Sequence, residues 1–268
     1  MLGKLFKYEF KATGRIMLPV YIATLVVCII SSLFLNFAPE YGWNWNENKI
    51  LTIVTLMSFV IFIFLITAAI VLSYIVSILR FKKNLFDSEG YLMNTLPVTI
   101  GQNIRAKIFT SVLYQIFSII IAVLSFAIFI VTISVGDNVI IFKELPSLFI
   151  SISESMTIDI SLFLVEFIIL FILGLICLNI EFYAAISIGH SSNSSRILKS
   201  VAAYIAFYII ENIINSIVLI TFGLNISDID TNNYPLLLFL VLIIIETIYI
   251  FIYYFITNYF MKNKLNLQ

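Results

Sequence analysis

The chain has 268 residues, and its 15 Lys and Arg residues balance its 15 Asp and Glu residues, so the formal net charge is zero. Apolar residues make up 62% and charged residues 11%, against about 45–50% and about 25% in soluble domains. This composition excludes water as the main solvent, and without a basic stripe it excludes a nucleic-acid partner. No polar block is large enough for a soluble domain, so we expect one membrane domain over residues 1–268.

The first predicted element is an amphipathic helix over Leu2–Arg15. Its apolar and basic residues recur at helical spacing on different sides, which is typical of a helix lying in the membrane surface. They are Leu2, Leu5, Phe6 and Phe10 on one side and Lys4, Lys7, Lys11 and Arg15 on the other. The alternative is that these residues are only the positive flank of the first span.

Six long apolar segments follow along the chain. A bilayer core about 30 Å thick is crossed by about 20 helical residues, and each segment reaches that length. Their continuous apolar runs favour helices over the short alternating strands of a barrel. The sequence therefore predicts an all-α membrane protein with spans at about 16–37, 50–79, 108–135, 161–188, 201–222 and 236–257.

The basic residues predict the orientation of these spans. With the amino terminus in the cytoplasm, only Lys49 and Lys143 of the 15 Lys and Arg residues fall outside. Basic residues concentrate on the cytoplasmic side of membrane proteins. We therefore expect a multi-pass protein with both termini in the cytoplasm.

The predicted cytoplasmic loop between spans two and three contains apolar residues that a simple connecting loop would not need. It has a short apolar patch formed by Tyr91, Leu92, Met93 and Leu96, followed by Pro97. Thr99 and Gln102 then fit a capping box, which predicts a helix that begins after Pro97 and runs into span three. The apolar patch either docks on another protein or packs on the chain's own spans.

Two stretches resemble a known family. MLGKLFKYEFKATGRIMLPVY at residues 1–21 and FKKNLFDSEGYLMNTLPVT at residues 81–99 are similar to the permease subunits of bacterial type 2 ABC transporters. The resemblance implies an exporter in the bacterial cytoplasmic membrane, in which two permease chains, identical or paralogous, work with separate ATP-binding subunits. It also implies a short coupling helix in the loop that contacts the ATPase. The residues that match it are Glu89, Gly90, Tyr91, Leu92, Met93, Leu96 and Pro97.

The chain lacks other recognisable catalytic chemistry. There is no GxxxxGK[ST] sequence, so ATP and Mg²⁺ are expected on a partner and the chain is not itself expected to be an enzyme. Cys28 and Cys177 lie in apolar runs without metal-ligand spacing, and we expect buried thiols and no metal site. His190 has no partner pattern and is expected to be a solvated interface residue.

Four carboxylates lie inside the predicted spans: Glu166, Glu181, Glu211 and Glu246. Antiparallel geometry places Glu211 and Glu246 at similar depth, so we expect them to share a polar cavity on a substrate path or proton relay. The alternative is internal hydrogen bonding through Asn212, Asn215, Ser216 or Tyr249.

Three classes of function remain open. The first is the ABC permease subunit. The second is a stand-alone proton-coupled secondary transporter that uses Glu211 and Glu246, although many such carriers contain paired repeats and none is evident here. The third is a membrane scaffold or immunity protein that does not transport.

Overall fold

The fold is built from long α-helices. The computed structural model describes residues 2–40, 49–86, 90, 98–133, 147, 160–192, 195–224 and 234–263. Its helices are α1 (Leu2–Glu40), α2 (Lys49–Leu85), α3 (Ile100–Ile133), α4 (Ile160–His190), α5 (Arg196–Leu224) and α6 (Tyr234–Asn263). No strand occurs within these described ranges, which agrees with the predicted all-α class.

All six helices of the described residues are long and apolar enough to cross a membrane. The shortest, α5, has 29 residues and the longest, α1, has 39. At about 1.5 Å per residue these lengths exceed the roughly 30 Å of a bilayer core. The helices therefore indicate a multi-pass membrane protein whose helices extend beyond the lipid or tilt within it.

The predicted surface helix over Leu2–Arg15 is not seen as a separate element. α1 runs without a break from Leu2 to Glu40 and continues through Gly14 and Pro19, which flank the position where the first span was expected to begin. Part of its apolar side packs on the protein itself. The Phe10 ring lies 4.9 Å from the Tyr114 ring of α3, and the Tyr114 hydroxyl donates to the Phe10 carbonyl at 2.8 Å.

The start of α3 has the predicted capping box. The Gln102 backbone N–H donates to Thr99 Oγ1 at 3.3 Å, and the Thr99 N–H donates to Gln102 Oε1 at 3.1 Å. These two bonds satisfy amide groups that a helix start leaves without intrahelical partners. α3 consequently begins at Ile100, shortly after Pro97, as the sequence predicts.

The chain divides into two compact units, each with its own core. The first contains Met1–Phe6, Ser77–Val112 and Ile152–Gln268. Its core stacks Phe81 on Tyr183, with ring centroids 3.8 Å apart and planes at 5°. The Tyr183 hydroxyl lies 2.8 Å from Ser77 Oγ and 2.9 Å from Ser111 Oγ, so buried hydroxyls on three helices are satisfied together.

The second unit contains Lys7–Val76 and Leu113–Ser151. Within it the Tyr21 hydroxyl donates to the Tyr114 carbonyl at 2.9 Å and lies 2.8 Å from Ser118 Oγ. Phe62 and Phe129 stack with their centroids 4.9 Å apart. Polar bonds and aromatic contacts thus join α1, α2 and α3 inside this unit, as expected where lipid supplies no hydrophobic drive for helix association.

The approach of α4 to α5 depends on Gly189. A Cβ atom at this position would come within 2.6 Å of the Arg196 backbone oxygen and 2.7 Å of the Ser200 backbone nitrogen. Gly189→Ala is therefore expected to push the two helices apart and to lower the free energy of unfolding by about 1–3 kcal/mol. Thermal unfolding of the purified protein in neutral detergent measures this loss.

Gly174→Ala is the matched control, because Gly174 lies on the same helix and a Cβ there would meet no atom within 4 Å. We expect this control to be neutral or slightly stabilising, since alanine favours helix over glycine. Equal unfolding temperatures for the two variants would contradict the close approach at Gly189.

Candidate functional site

A group of polar side chains occupies the facing sides of α4, α5 and α6 in the first unit. Cys177 and Glu181 lie one turn apart on α4, and Glu246, Tyr249 and Tyr253 follow one another at helical spacing on α6. Glu211 comes from α5. We call these six residues the acidic cluster: Cys177, Glu181, Glu211, Glu246, Tyr249 and Tyr253.

Glu211 is held by a tyrosine. The Tyr253 hydroxyl donates to Glu211 Oε1 at 2.6 Å, a short distance typical of a hydrogen bond to a charged acceptor. Internal hydrogen bonding, with Asn212, Asn215, Ser216 or Tyr249 as examples of partners, was the alternative to a shared cavity. The observed donor to Glu211 is Tyr253, and the Asn212 amide instead donates to the Tyr208 carbonyl at 2.7 Å.

The three carboxyl groups lie close enough to interact electrostatically. Glu181 interacts with both Glu211 and Glu246, and Glu211 interacts with Glu246. The Cys177 thiol interacts with Glu246 as well. The structure therefore brings the predicted pair Glu211 and Glu246 together and adds Glu181 to it.

The titratable neighbours of these carboxyl groups do not supply a compensating positive charge. Within the described ranges these neighbours are Cys177, Tyr204, Tyr249 and Tyr253, and none of them is a lysine or an arginine. Carboxylates at such proximity repel one another unless protons or a cation neutralise them. The cluster therefore needs bound protons or a cation to neutralise its carboxyl groups.

Three polar oxygen atoms of the cluster have no hydrogen-bond partner. They are Glu181 Oε1, Glu246 Oε2 and the Tyr249 hydroxyl oxygen. Glu181 is 1% exposed and Tyr249 is 6% exposed, so water is excluded from most of both side chains. An unsatisfied buried polar group costs free energy, and its presence in a fold is a reason to look for a function.

Aromatic rings border the cluster. The Tyr249 and Tyr253 rings stack with their centroids 6.3 Å apart, and Phe207 of α5 lies 4.9 Å from Tyr253. Glu211 and Glu246 are half-buried, in contrast to Glu181. The cluster therefore has a closed side at α4 and a more accessible side between α5 and α6.

Most of the predicted coupling residues lie outside the described residues. These are Glu89, Tyr91, Leu92, Met93, Leu96 and Pro97. Gly90 is described and is buried in a helical conformation. The assignment of these residues to ATPase contact stays a prediction.

His190 is buried, whereas the sequence predicted a solvated residue at the membrane interface. The prediction of a solvated residue is wrong, because the His190 side chain is 4% exposed and its ring lies 4.8 Å from the Phe86 ring. Its Nδ1 atom is 2.9 Å from the Ile186 carbonyl oxygen, so the helix itself supplies a partner. His190 lines a mostly apolar cavity of about 310 Å³ together with Lys82 and Tyr204.

The two cysteines are free and buried, as predicted. No group of acidic, cysteine and histidine side chains in the described part of the chain has an arrangement that holds a metal ion. Cys177 nevertheless belongs to the acidic cluster and interacts with Glu246, which was not predicted from the sequence. The signal for it was the one-turn spacing of Cys177 and Glu181, together with the spacing of Glu246 and Tyr253 on α6.

Comparisons with protein-family models, with curated proteins and with solved structures found no match for this chain.

Proposed function

We propose that this chain is the membrane-spanning permease subunit of an ATP-driven exporter of the bacterial type 2 ABC class. In this proposal it lies in the bacterial cytoplasmic membrane with both termini in the cytoplasm. The observation that carries it is the segment FKKNLFDSEGYLMNTLPVT, which joins two long candidate spans and ends at the capped start of α3. That segment and the amino-terminal sequence are the stretches that resemble the permease family.

Energy for transport would come from separate ATP-binding subunits that carry ATP and Mg²⁺. Their docking surface on this chain is the proposed coupling segment, residues 89–97, whose apolar side chains need a protein partner or a buried position. The basic first turns of α1, in which Lys4, Lys7 and Lys11 are exposed, would rest at the cytoplasmic membrane surface. A second permease chain, identical or paralogous, would complete the path.

The substrate path in this proposal includes the acidic cluster. A charged side chain at the centre of a membrane helix costs about 2.5–3.5 kcal/mol on insertion scales, so such residues are rare and mark ion or substrate pathways. Glu211 and Glu246 are the predicted path residues, and Glu181 joins them by proximity. Glu166 also lies in α4 but is fifteen residues, or about 22 Å, from Glu181 along the helix.

The acidic cluster also favours a second candidate function, a stand-alone transporter driven by a proton gradient. Three interacting carboxyl groups in adjacent helices can form a proton relay. The two candidates differ in their energy source, and one experiment separates them.

Inside-out membrane vesicles that contain the chain and its native partners provide that experiment. The vesicles are incubated with a small-molecule extract of the source cells, with or without ATP, and their contents are compared by untargeted mass spectrometry. We expect at least one compound to accumulate with ATP, even when an ionophore removes the proton gradient. Accumulation that requires the proton gradient and does not depend on ATP would instead support the secondary transporter.

A further inference from the structure

The cavity beside His190 has an apolar depth and a basic end. It lies in the first unit, where α2 and α4 end and α5 begins, and its volume is about 310 Å³. Ile78, Phe182 and Tyr204 line it about two turns from these helix ends, and the Phe182 and Tyr204 rings stack with their centroids 4.6 Å apart. Lys82 and His190 line it within the last turns of α2 and α4. The cavity is therefore amphipathic along the direction of the helices.

The basic end carries positive charge that the surrounding protein does not neutralise. Lys82 is half-buried, and none of the residues that line the cavity is Asp or Glu. Within the described part of the chain, the Lys82 ammonium group has no hydrogen-bond or ion-pair partner. Arg196, which precedes the lining residue Ile197, donates from Nε to the Ser192 carbonyl at 3.3 Å, but its buried Nη2 atom has no partner. An anionic group at this end would be held by charge complementarity.

The cavity opens at the surface of the helices. Ile197 and Val201 of α5 line it, and they are 68% and 51% exposed. The three helices that form the cavity are long and apolar enough to cross a membrane. In a bilayer, the molecules that surround such an opening are lipids.

We propose that this cavity binds an anionic phospholipid, with one acyl chain in its apolar depth and the phosphate group at Lys82. Basic pockets between transmembrane helices are known to bind anionic head groups. The chain fills space that would otherwise lack dispersion contacts. Because the chain only moves from one apolar environment to another, the head group supplies the selectivity. The proposal goes beyond transport, since it concerns a lipid retained by the protein and not the substrate path.

The test uses the full chain, purified in neutral detergent and freed of native lipid. Dioleoyl phosphatidylglycerol and dioleoyl phosphatidylcholine are the probes, because they have the same chains and differ in head-group charge. Native mass spectrometry counts the lipids bound at each lipid concentration. We expect the first phosphatidylglycerol to bind at least about fivefold more tightly than the first phosphatidylcholine.

Lys82→Gln tests the basic end of the cavity. It removes the charge and keeps most of the aliphatic stem, so we expect the affinity for phosphatidylglycerol to fall about fivefold and that for phosphatidylcholine to stay unchanged. Lys262→Gln is the matched control, because Lys262 is exposed in the last turn of α6 and does not line the cavity. It makes the same change in net charge, and both affinities should equal those of the wild type.

Val201→Phe tests the apolar depth. Val201 lies at the opening, so the larger ring can occupy the cavity without entering the packed interior. We expect phosphatidylglycerol to bind at least about tenfold more weakly to this variant. Leu198→Phe is its control, since Leu198 is 70% exposed on the same helix and does not line the cavity. None of the four variants replaces a fully buried side chain, so thermal unfolding without lipid should be unchanged.

The proposal is overturned if the two lipids bind the wild type equally tightly. It is also overturned if Lys82→Gln binds phosphatidylglycerol like Lys262→Gln, or if Val201→Phe binds it like Leu198→Phe. Displacement of the bound lipid by glycerol 3-phosphate, which has the charge but no chain, would show a phosphate site instead of a lipid site. No ATP-binding subunit takes part in this assay, so its result is separate from the fate of the exporter proposal.

Discussion

Replacing both Leu92 and Leu96 by Asp is expected to abolish co-purification of the ATP-binding subunit. In the proposed complex the apolar residues of the coupling segment are buried against that subunit. Removing one partner of a buried charged pair costs about 3–5 kcal/mol because it leaves a buried charge unpaired, and two new unpaired carboxylates impose a cost of that kind. Affinity should fall by more than about a thousandfold. Affinity purification of a tagged chain, followed by quantification of the ATPase, measures the loss.

The matched control for this double variant is Leu198→Asp. Leu198 lies near the start of α5 and is 70% exposed. A carboxylate there stays accessible, so the ATPase should remain bound. Size-exclusion profiles of all variants establish that the permease is inserted and folded. If the double variant retains the ATPase at the wild-type level, residues 92 and 96 are not the docking surface.

Replacing Glu211 or Glu246 by Gln is expected to reduce ATP-driven uptake by at least about tenfold, with little loss of folded protein. Gln keeps the size of the side chain and an oxygen that can accept the Tyr253 hydroxyl, whereas Leu removes both charge and hydrogen bond. The comparison therefore separates an electrostatic role from a packing role. Uptake of the compound identified in the vesicle experiment is the measurement.

A packing role gives a different pattern at these positions. In that case Gln would transport normally, and only Leu would lower the stability or the assembly of the complex. Glu166→Gln is again the control, because its carboxyl group lies outside the acidic cluster, and its uptake should match that of the wild type. If Gln and Leu at both positions transport and assemble like the wild type, neither role holds for Glu211 and Glu246.

The long helices were predictable because their signal is local. Continuous apolar runs identify spans without knowledge of tertiary contacts. The six predicted segments lie within the observed helices, apart from residues 134 and 135 of the third segment, which lie outside the described residues. The capping box at Thr99 and Gln102 was predictable for the same reason, since both partners are three residues apart. A separate surface helix ending at Arg15 was predicted but is not seen. α1 continues through this position, because a change from a basic to an apolar pattern does not by itself end a helix.

The acidic cluster was predictable only in part. Matching depths in antiparallel helices predicted that Glu211 and Glu246 lie near each other. In the structure their carboxyl groups interact electrostatically. The addition of Glu181 depends on how α4 is rotated against α5 and α6, which no short stretch of sequence encodes. His190 shows the same limit, because its burial arises from packing against Phe86 rather than from its own neighbours in the chain.

Affinity purification of the tagged full chain from its native membranes, in a mild neutral detergent, tests the central claim most directly. Mass spectrometry identifies and quantifies the proteins that accompany it, and an untagged strain gives the background. The proposed function predicts an ATP-binding protein with a GxxxxGK[ST] sequence in comparable molar amount, together with a second permease chain. A chain that purifies without any such ATPase, while its transport persists without ATP, would contradict the assignment.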